Sequence, residues 1–228
     1  MKTFGQKRVL NAGSGPAVPG RLHRGFRRDD WVEIRLDVDR RTNPDVVGSM
    51  CDMRGVVSDA SCDAVWTSHS IEHLHDHEVP ATFREFRRIL KADGFVLATC
   101  PDINVIANLI LRHGLEADAY HSPAGPIKAL DMLYGHGRSI GAGQFAMTHN
   151  TGFTADRIGR IALETGFSEA RVFEGLNYDL WALLMMPETR LAQVALLFND
   201  TEIAPLFSED AAERDTDAEW RRSRAEAF

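Results

Sequence analysis

The fold is decided by the stretch V-L-N-A-G-S-G-P, which runs from Val9 to Pro16. Two apolar residues lead into Asn11 and Ala12, and two glycines then follow with one residue between them. Because Gly13 and Gly15 have no Cβ, their backbone can adopt positive φ and approach a bound molecule closely. The stretch therefore predicts a buried strand that ends at a tight turn beside a ligand.

An acidic residue follows at the spacing expected for a carboxylate that binds a ribose. The stretch Val32–Asp39 reads V-E-I-R-L-D-V-D, and Asp37 stands where a second parallel strand would end. Asp39 is the second candidate for the same role. Val18 occupies the place of the third glycine of the dinucleotide fingerprint, which argues against a nicotinamide or flavin site. The pattern favours a nucleoside ligand without a pyrophosphate.

Three further motifs follow in order along the chain. They are D-V-V-G-S-M-C-D-M (Asp45–Met53), C-D-A-V-W-T-S-H-S-I-E-H (Cys62–His73) and L-K-A-D-G-F-V-L-A-T-C-P-D (Leu90–Asp102). With the first two motifs, this ordered set resembles the class I S-adenosylmethionine-dependent methyltransferases, in particular the type 11 small-molecule group. The resemblance runs from about Val9 to about Pro187. It implies an α/β fold with a Rossmann-like, seven-stranded, mostly parallel sheet whose last strand is antiparallel.

The connections between the first strands are expected to be short. Pro16, Pro19 and Gly20 interrupt any helix early in the first crossover. The segment between Asp37 and Asp45 is too short for a helical crossover. We therefore predict shortened first crossovers.

The segment 113–150 is rich in glycine but also carries many apolar and aromatic residues, so we predict a lid over a small-molecule pocket. The motifs D-M-L-Y-G (Asp131–Gly135) and M-T-H-N-T-G-F-T (Met147–Thr154) resemble the corresponding insertion of the family.

Other elements are predicted from apolar periodicity and from capping and breaking residues. The predictions are a helix from Asp76 that stops at 91–94, a strand over 95–99, helices over 103–112 and 155–165, and strands over 171–174 and 179–186. Residues 1–190 form the predicted methyltransferase domain, with the lid insertion at about 113–150. A packing helix is expected within 191–207. A charged tail is expected over 208–228, flexible unless Trp220 and Phe228 anchor it.

Composition limits the classes of protein that the chain can belong to. The net charge is −7 over 228 residues, which argues against nucleic-acid binding. Four arginines crowd the segment 21–28, and we predict a solvated loop there in preference to an anion site. The three cysteines are widely spaced without a C-x-x-C motif, which favours free thiols in the cytoplasm. The sequence shows neither a signal peptide nor an apolar run of spanning length, so we expect no membrane partner. A monomer or a homodimer is expected.

The family resemblance implies S-adenosyl-L-methionine as the cofactor and S-adenosyl-L-homocysteine as its product. Ser49 stands where the family often has an acid that meets the adenine amine, and Asp52 is the alternative for that contact. Met50 either lies on the adenine face or belongs to the core. The residues predicted to bind the cofactor are Asn11, Ala12, Gly13, Ser14, Gly15, Asp37, Val38, Ser49, Met50, Ser68 and His69.

Methyl transfer from a sulfonium is a direct displacement, which needs alignment of the reactants and exclusion of water. A hydroxyl or amine acceptor also needs a base, and histidine is suited to that role near neutral pH. His69 is the first candidate base and His149 the second. Glu72 and His73 are expected to brace the turn between strand and helix. The residues predicted to bind the substrate are Tyr134, His136, Met147 and His149.

No metal site is predicted. His69, His73, His75 and His77 cannot all converge on one ion, and the chain has no H-E-x-x-H motif. Two other functions remain open at this stage. One is a non-catalytic S-adenosylmethionine-binding subunit of a larger enzyme, and the other is a nucleotide-binding oxidoreductase, which Val18 opposes.

Overall fold

The computed structural model describes residues 5–122 and 125–208. Its strands are β1 (Lys7–Ala12), β2 (Trp31–Asp37), β3 (Val46–Val47), β4 (Cys62–Ser68), β5 (Leu90–Pro101), β6 (Asp118–Ser122), β7 (Gly125–Lys128), β8 (Glu169–Glu174) and β9 (Asp179–Met185). Its α-helices are α1 (Val79–Ile89), α2 (Ile103–His113), α3 (Ala129–Tyr134), α4 (Gly137–Gly141), α5 (Ala155–Glu164) and α6 (Leu191–Phe198).

Seven of the strands form one sheet in the order β3-β2-β1-β4-β5-β9-β8. The pairs from β3 to β5 are parallel, whereas β9 is antiparallel to both β5 and β8. The predicted seven-stranded, mostly parallel sheet with an antiparallel last strand is confirmed. The carboxyl ends of β1, β2 and β4 meet at one edge, which is where open parallel sheets bind ligands.

Apolar residues cover both faces of the sheet, as buried parallel strands require. On β1, Leu10 and Ala12 belong to one hydrophobic cluster and Val9 belongs to the other. The first cluster lies under α1 and α5, and Phe83 and Phe86 of α1 are buried in it as their helical spacing predicts.

The predicted shortening of the first crossovers is confirmed. The connection from β1 to β2 contains only the short 3₁₀ turn Arg24–Phe26, and the connection from β2 to β3 contains only the short 3₁₀ turn Arg40–Thr42. The sheet face that the first crossover leaves open is covered instead by α6, whose Phe198 ring lies 5.3 Å from the ring of Phe26. A Cβ on Gly25 would lie 2.4 Å from that Phe198 ring, so the turn packs directly on the helix.

Several predicted boundaries are wrong by a few residues. Residues 76–78 form a 3₁₀ turn, and α1 begins only at Val79, with Pro80 in its first turn. The predicted helix stop at 91–94 is wrong because α1 ends at Ile89 and β5 begins at Leu90. Asp93 and Gly94 remain within β5, and the pairing register with β4 shifts between Cys62 and Ala64 to accommodate them. The predicted Thr154 cap on α5 is confirmed, since its side chain accepts a hydrogen bond from the Arg157 N–H.

The lid segment 113–150 is more regular than its glycine content predicts. It contains the end of α2, the β6–β7 hairpin, the short helices α3 and α4, and a 3₁₀ turn at Phe145–Met147. Its far end is tied to the body of the protein, because the Asn150 and Thr151 N–H groups both donate to the Glu72 carbonyl at 2.9 and 3.2 Å. The backbone of Glu72 therefore fixes the C-terminal end of the lid segment to the turn that follows β4.

None of the described helices is both long enough and apolar enough to cross a membrane. The helix predicted within 191–207 is found as α6, followed by a 3₁₀ turn at Ala204–Phe207. Nearly all of the predicted tail, with Trp220 and Phe228, lies outside the described residues.

Candidate active site

The glycine turn is fastened to the end of β2. The Gly13 and Ser14 N–H groups donate to the Leu36 carbonyl at 2.9 and 3.1 Å, and the Gly15 N–H donates to Asp37 Oδ2 at 2.7 Å. Both glycines have positive φ, +73° and +59°, as the sequence predicts for a tight turn. Asp37 is thereby held beside the turn by the backbone.

Gly13 is required by close packing as well as by its φ. A Cβ there would lie 2.4 Å from Ser70 Oγ and 3.3 Å from Met50 Cε. Met50 belongs to the buried cluster under α1, which favours the core alternative for this residue over the adenine face.

A cavity of about 530 Å³, which we call the loop cavity, opens at the carboxyl end of β1 and β4. Five predicted cofactor-binding residues line it: Asn11, Gly13, Ser14, Ser68 and His69. The residues that the sequence did not predict are Gly20, Arg21, His23, Arg24, Arg27, Trp66, Thr99, Trp181 and Glu202. Its size suits a small organic ligand.

The polar lining of the loop cavity favours a charged ligand. Three of its residues are arginines from the 21–28 segment, which the sequence predicted to be a solvated loop. The Thr99 hydroxyl is buried and finds no hydrogen-bond partner within the described residues. Net charge and residue spacing do not predict that these arginines line a cavity. They lie beside it because the connection from β1 to β2 is short and has no α-helix.

The other six predicted cofactor residues do not line the loop cavity: Ala12, Gly15, Asp37, Val38, Ser49 and Met50. The Val38 side chain is exposed at the surface. Ser49 is exposed too, and its hydroxyl accepts a hydrogen bond from the Cys51 N–H. Asp52, the alternative for the adenine contact, pairs with Arg54, whose hydrogen bonds lower the pKa of Asp52 to about 2.

His69 stands in an unusual backbone conformation directly after β4. Its φ is +48°, and its N–H donates to the Thr99 carbonyl at 2.9 Å. Its side chain is 49% exposed, and its Nδ1 lies 3.5 Å from Glu72 Oε1. Desolvation alone would lower the pKa of His69, but the Glu72 carboxylate outweighs it and the pKa is raised.

A second cavity of about 150 Å³, the lid cavity, lies between the lid segment and the body of the protein. It is lined by His69, Glu72, His73, Pro101, Tyr120, Ile127, Asp131, Met132, His136, Met147, His149, Asn177 and Tyr178. Three of the four predicted substrate residues are therefore present: His136, Met147 and His149. Tyr134 does not line the lid cavity, because the residue is 61% exposed at the end of α3. Its backbone carbonyl accepts a hydrogen bond from the His149 N–H.

Glu72 forms a buried cluster with two histidines that are distant from each other in sequence. Its side chain is 2% exposed, and one possible ligating atom from each of Glu72, His73 and His149 lies within 4.8 Å of the others. Burial lowers the pKa of His149, whereas nearby histidines hold the pKa of Glu72 below its usual range against the opposing effect of burial. His149 comes from the lid, so spacing along the sequence gave no signal for the cluster.

Residues 31–98 match the family model described as "Methyltransferase domain". In these residues the chain is similar to the methyltransferase domain family. The match covers β2 to β5, including the acid at the end of β2 and the turn that carries His69. No curated protein matches the chain in sequence.

The fold is shared with a solved methyltransferase. An S-adenosylmethionine-dependent methyltransferase from Archaeoglobus fulgidus has a TM-score of 0.51 at 13% identity, with 79% of this chain and 86% of that chain covered. A protein from Pyrococcus horikoshii OT3 has a TM-score of 0.52 at 15% identity, with 82% and 85% covered. The citrinin polyketide synthase CMeT domain has a TM-score of 0.48 at 14% identity; the match covers 81% of this chain but 47% of that chain.

Proposed function

We propose that this chain transfers a methyl group from S-adenosyl-L-methionine to a small-molecule acceptor. The donor occupies the loop cavity and the acceptor occupies the lid cavity. The observation that carries the proposal is the position of His69, which lines both cavities. A group shared by both cavities is placed where donor and acceptor would meet.

The residues of the loop cavity fit this donor. Arg21 and Arg27 face the cavity and suit the carboxylate of the methionine part, and the unpartnered Thr99 hydroxyl suits a polar group. Asp37 does not line the loop cavity but lies beside the glycine turn that borders it. Each of its oxygens accepts one backbone N–H, from Gly15 or from Asp39, which leaves lone pairs for ribose hydroxyls. When bound, S-adenosyl-L-methionine supplies an electrophilic methyl group on its sulfonium sulfur.

His69 accepts the proton of an acceptor hydroxyl or amine in this proposal. Its Nδ1 lies 3.5 Å from Glu72 Oε1, so Nε2 is the nitrogen left for the acceptor. The lid residues His136 and Met147 contact the acceptor and exclude water. His149 stays the second candidate base, with its Nδ1 2.9 Å from the Met132 carbonyl.

Calorimetric titration with S-adenosyl-L-homocysteine tests donor binding. We expect the wild type to bind it and not to bind NAD. Asp37→Asn weakens binding at least about tenfold, because a site built for hydroxyl donors loses an acceptor. The matched control is Asp39→Asn, a neighbouring acid already paired with Arg41, which keeps wild-type affinity. Equal affinity in the two variants would remove Asp37 from the site.

Release of S-adenosyl-L-homocysteine from S-adenosyl-L-methionine, measured against a panel of small phenols, carboxylic acids and amines, tests the transfer. We expect product with at least one class and a rate at least about a hundredfold lower for His69→Ala, the usual contribution of a general base. Because His69 also lines the loop cavity, the affinity of that variant for S-adenosyl-L-homocysteine is measured as well, which separates loss of the base from loss of donor binding. Donor binding without transfer to any acceptor favours the non-catalytic binding subunit.

The cysteines support a reducing compartment for this enzyme. Cys51, Cys62 and Cys100 are all free thiols, and burial raises the pKa of the Cys62 and Cys100 thiols. Thiols of this kind are unreactive and persist in the cytoplasm, which is the location we propose.

A further inference from the structure

The Glu72 side chain has an unusual environment for a buried carboxylate. The residue is 1% exposed, and neither carboxylate oxygen makes a hydrogen bond within the part of the chain that the structure describes. A buried carboxylate without hydrogen bonds is costly unless a cation compensates it. His69 lies 3.5 Å from Oε1 but is half exposed, and it makes no hydrogen bond to either oxygen.

The two neighbouring histidines are held in a defined orientation. His73 Nδ1 lies 3.0 Å from the Thr148 carbonyl, and His149 Nδ1 lies 2.9 Å from the Met132 carbonyl. A carbonyl only accepts, so each Nδ1 carries the proton and each Nε2 keeps its lone pair. This arrangement, in which the second ring nitrogen donates to a backbone carbonyl, is typical of histidines that bind metals.

The free lone pairs converge near the unpartnered carboxylate. His149 Nε2 lies 4.0 Å from Glu72 Oε1, and the His73 and His149 ring centroids lie 4.9 Å apart. Ligands around a tetrahedral zinc ion lie about 3.4 Å from one another. Movements of about 1 Å, within reach of side-chain rotation, would therefore bring the three groups to bonding distance.

From this cluster we infer that Glu72, His73 and His149 bind a divalent transition-metal ion of the zinc type. Two imidazoles and one carboxylate form a ligand set that suits zinc-type ions, whereas magnesium and calcium prefer oxygen ligands. All three residues line the lid cavity, so a fourth position on the ion opens toward it. That position is available to water or to an oxygen of the acceptor. Because His149 comes from the lid, the ion would also join the lid to the body of the protein.

Titration of the chelator-treated full chain with Zn²⁺, without any methyl donor, tests the inference. We expect one ion per chain and an affinity at least about tenfold weaker for His73→Asn, His149→Asn and Glu72→Gln. The matched control is His77→Asn, an exposed histidine outside the cluster, which binds as the wild type does. Mg²⁺ is expected not to compete.

A second measurement does not depend on comparing variants that have to fold. Co²⁺ bound to the wild type is expected to give the visible absorption of a low-coordinate site with nitrogen and oxygen ligands, and Zn²⁺ should remove it. Absence of Co²⁺ absorption in the wild type, or unchanged Zn²⁺ binding by a folded His149→Asn variant, would overturn the inference. In that case His69 is the group that compensates the negative charge of the Glu72 carboxylate. Affinity for S-adenosyl-L-homocysteine reports on the loop cavity separately, so failure of either proposal is recognised independently.

Discussion

Gly13 is the residue at which chain conformation and packing impose the same requirement. Its φ of +73° disfavours any side chain, and the space that a Cβ would fill is taken by Ser70. These are two separate costs, one of backbone conformation and one of overpacking. The same glycine thus sets both the turn after β1 and the position of the segment that follows β4.

We expect Gly13→Ala to lower the free energy of unfolding by about 3 kcal/mol, as the sum of about 1–2 kcal/mol for positive φ and a similar cost for the overlap with Ser70. Gly55→Ala is the matched control, because Gly55 also has positive φ but no atom lies within 4 Å of the position that its Cβ would take. Urea denaturation measures both. Adding Ser70→Gly to Gly13→Ala should restore part of the loss, and equal losses in the two single variants would contradict the overlap.

At the level of elements, Glu85 connects α1 to the loop that precedes β4. Its carboxylate accepts the Met53 N–H at 2.6 Å and two hydrogen bonds from Arg88 at 2.8 Å, and Arg88 continues to the Val57 carbonyl at 3.1 Å. Glu85 is largely buried, so these hydrogen bonds are poorly replaced by water. The helix and the loop are therefore held together by one charged pair.

We expect Glu85→Gln to lower the free energy of unfolding by about 2 kcal/mol at neutral pH. The control is Glu164→Gln, an exposed partner of Arg160 within α5, with a loss below about 0.5 kcal/mol. Arg88 lowers the pKa of Glu85, so the stabilisation is present above the unfolded pKa of about 4.3 and disappears as pH falls through the folded value. Denaturation at several pH values should show the difference from wild type shrinking in acid, and a constant difference would argue against the ion pair.

The elements could be predicted from local patterns of the sequence, whereas the lining of the cavities could not. The strands themselves follow from apolar runs that each end at a recognisable motif, and those runs are local properties of the sequence. Their arrangement in the sheet was expected only from the family resemblance. The start of β5 was missed because Asp93-Gly94 has the composition of a turn, whereas pairing with β4 keeps these residues in the strand. The hairpin and the short helices of the lid segment were not predicted, because the glycines of this segment interrupt the periodic patterns that indicate strands and helices.

The site depends on contacts between distant parts of the chain, which spacing cannot reveal. His73 and His149 meet only because the lid folds back over the turn that follows β4. The arginines of segment 21–28 face the loop cavity because the first crossover lacks a helix, and that shape cannot be read from their charges. The position of Asp37 beside the glycine turn could be predicted from its spacing, since both belong to one local motif, and its role in binding a ribose stays a prediction.

At the scale of the whole molecule, His23 joins parts of the chain that are far apart in sequence. Its ring lies 5.4 Å from Trp66 on β4, 5.7 Å from Trp181 on β9 and 5.2 Å from Phe198 on α6. Its Nδ1 accepts the Gly25 N–H, which fits a neutral ring. Burial lowers the pKa of His23, against the opposing effect of Glu202 and with smaller contributions from Arg24 and Arg27.

This lowered pKa makes the protein less stable in mild acid. Between the unfolded histidine pKa of about 6.5 and the lower folded value, the unfolded chain binds the proton more readily, so stability falls as pH falls. We expect His23→Asn, which keeps a side-chain acceptor for the Gly25 N–H, to lose less stability than wild type between pH 7 and pH 5. Thermal unfolding at both pH values measures this, and an identical loss in the two proteins would exclude His23 as the source.

The contact between Phe26 and Phe198 has a consequence for biosynthesis. β1 and β2 are synthesised well before Phe198 of α6, which packs on Phe26 and covers this face of the sheet. The face therefore stays open to solvent until α6 has been made. The packing of this layer is consequently completed only after α6 has been synthesised, so the N-terminal strands cannot reach their native environment before then.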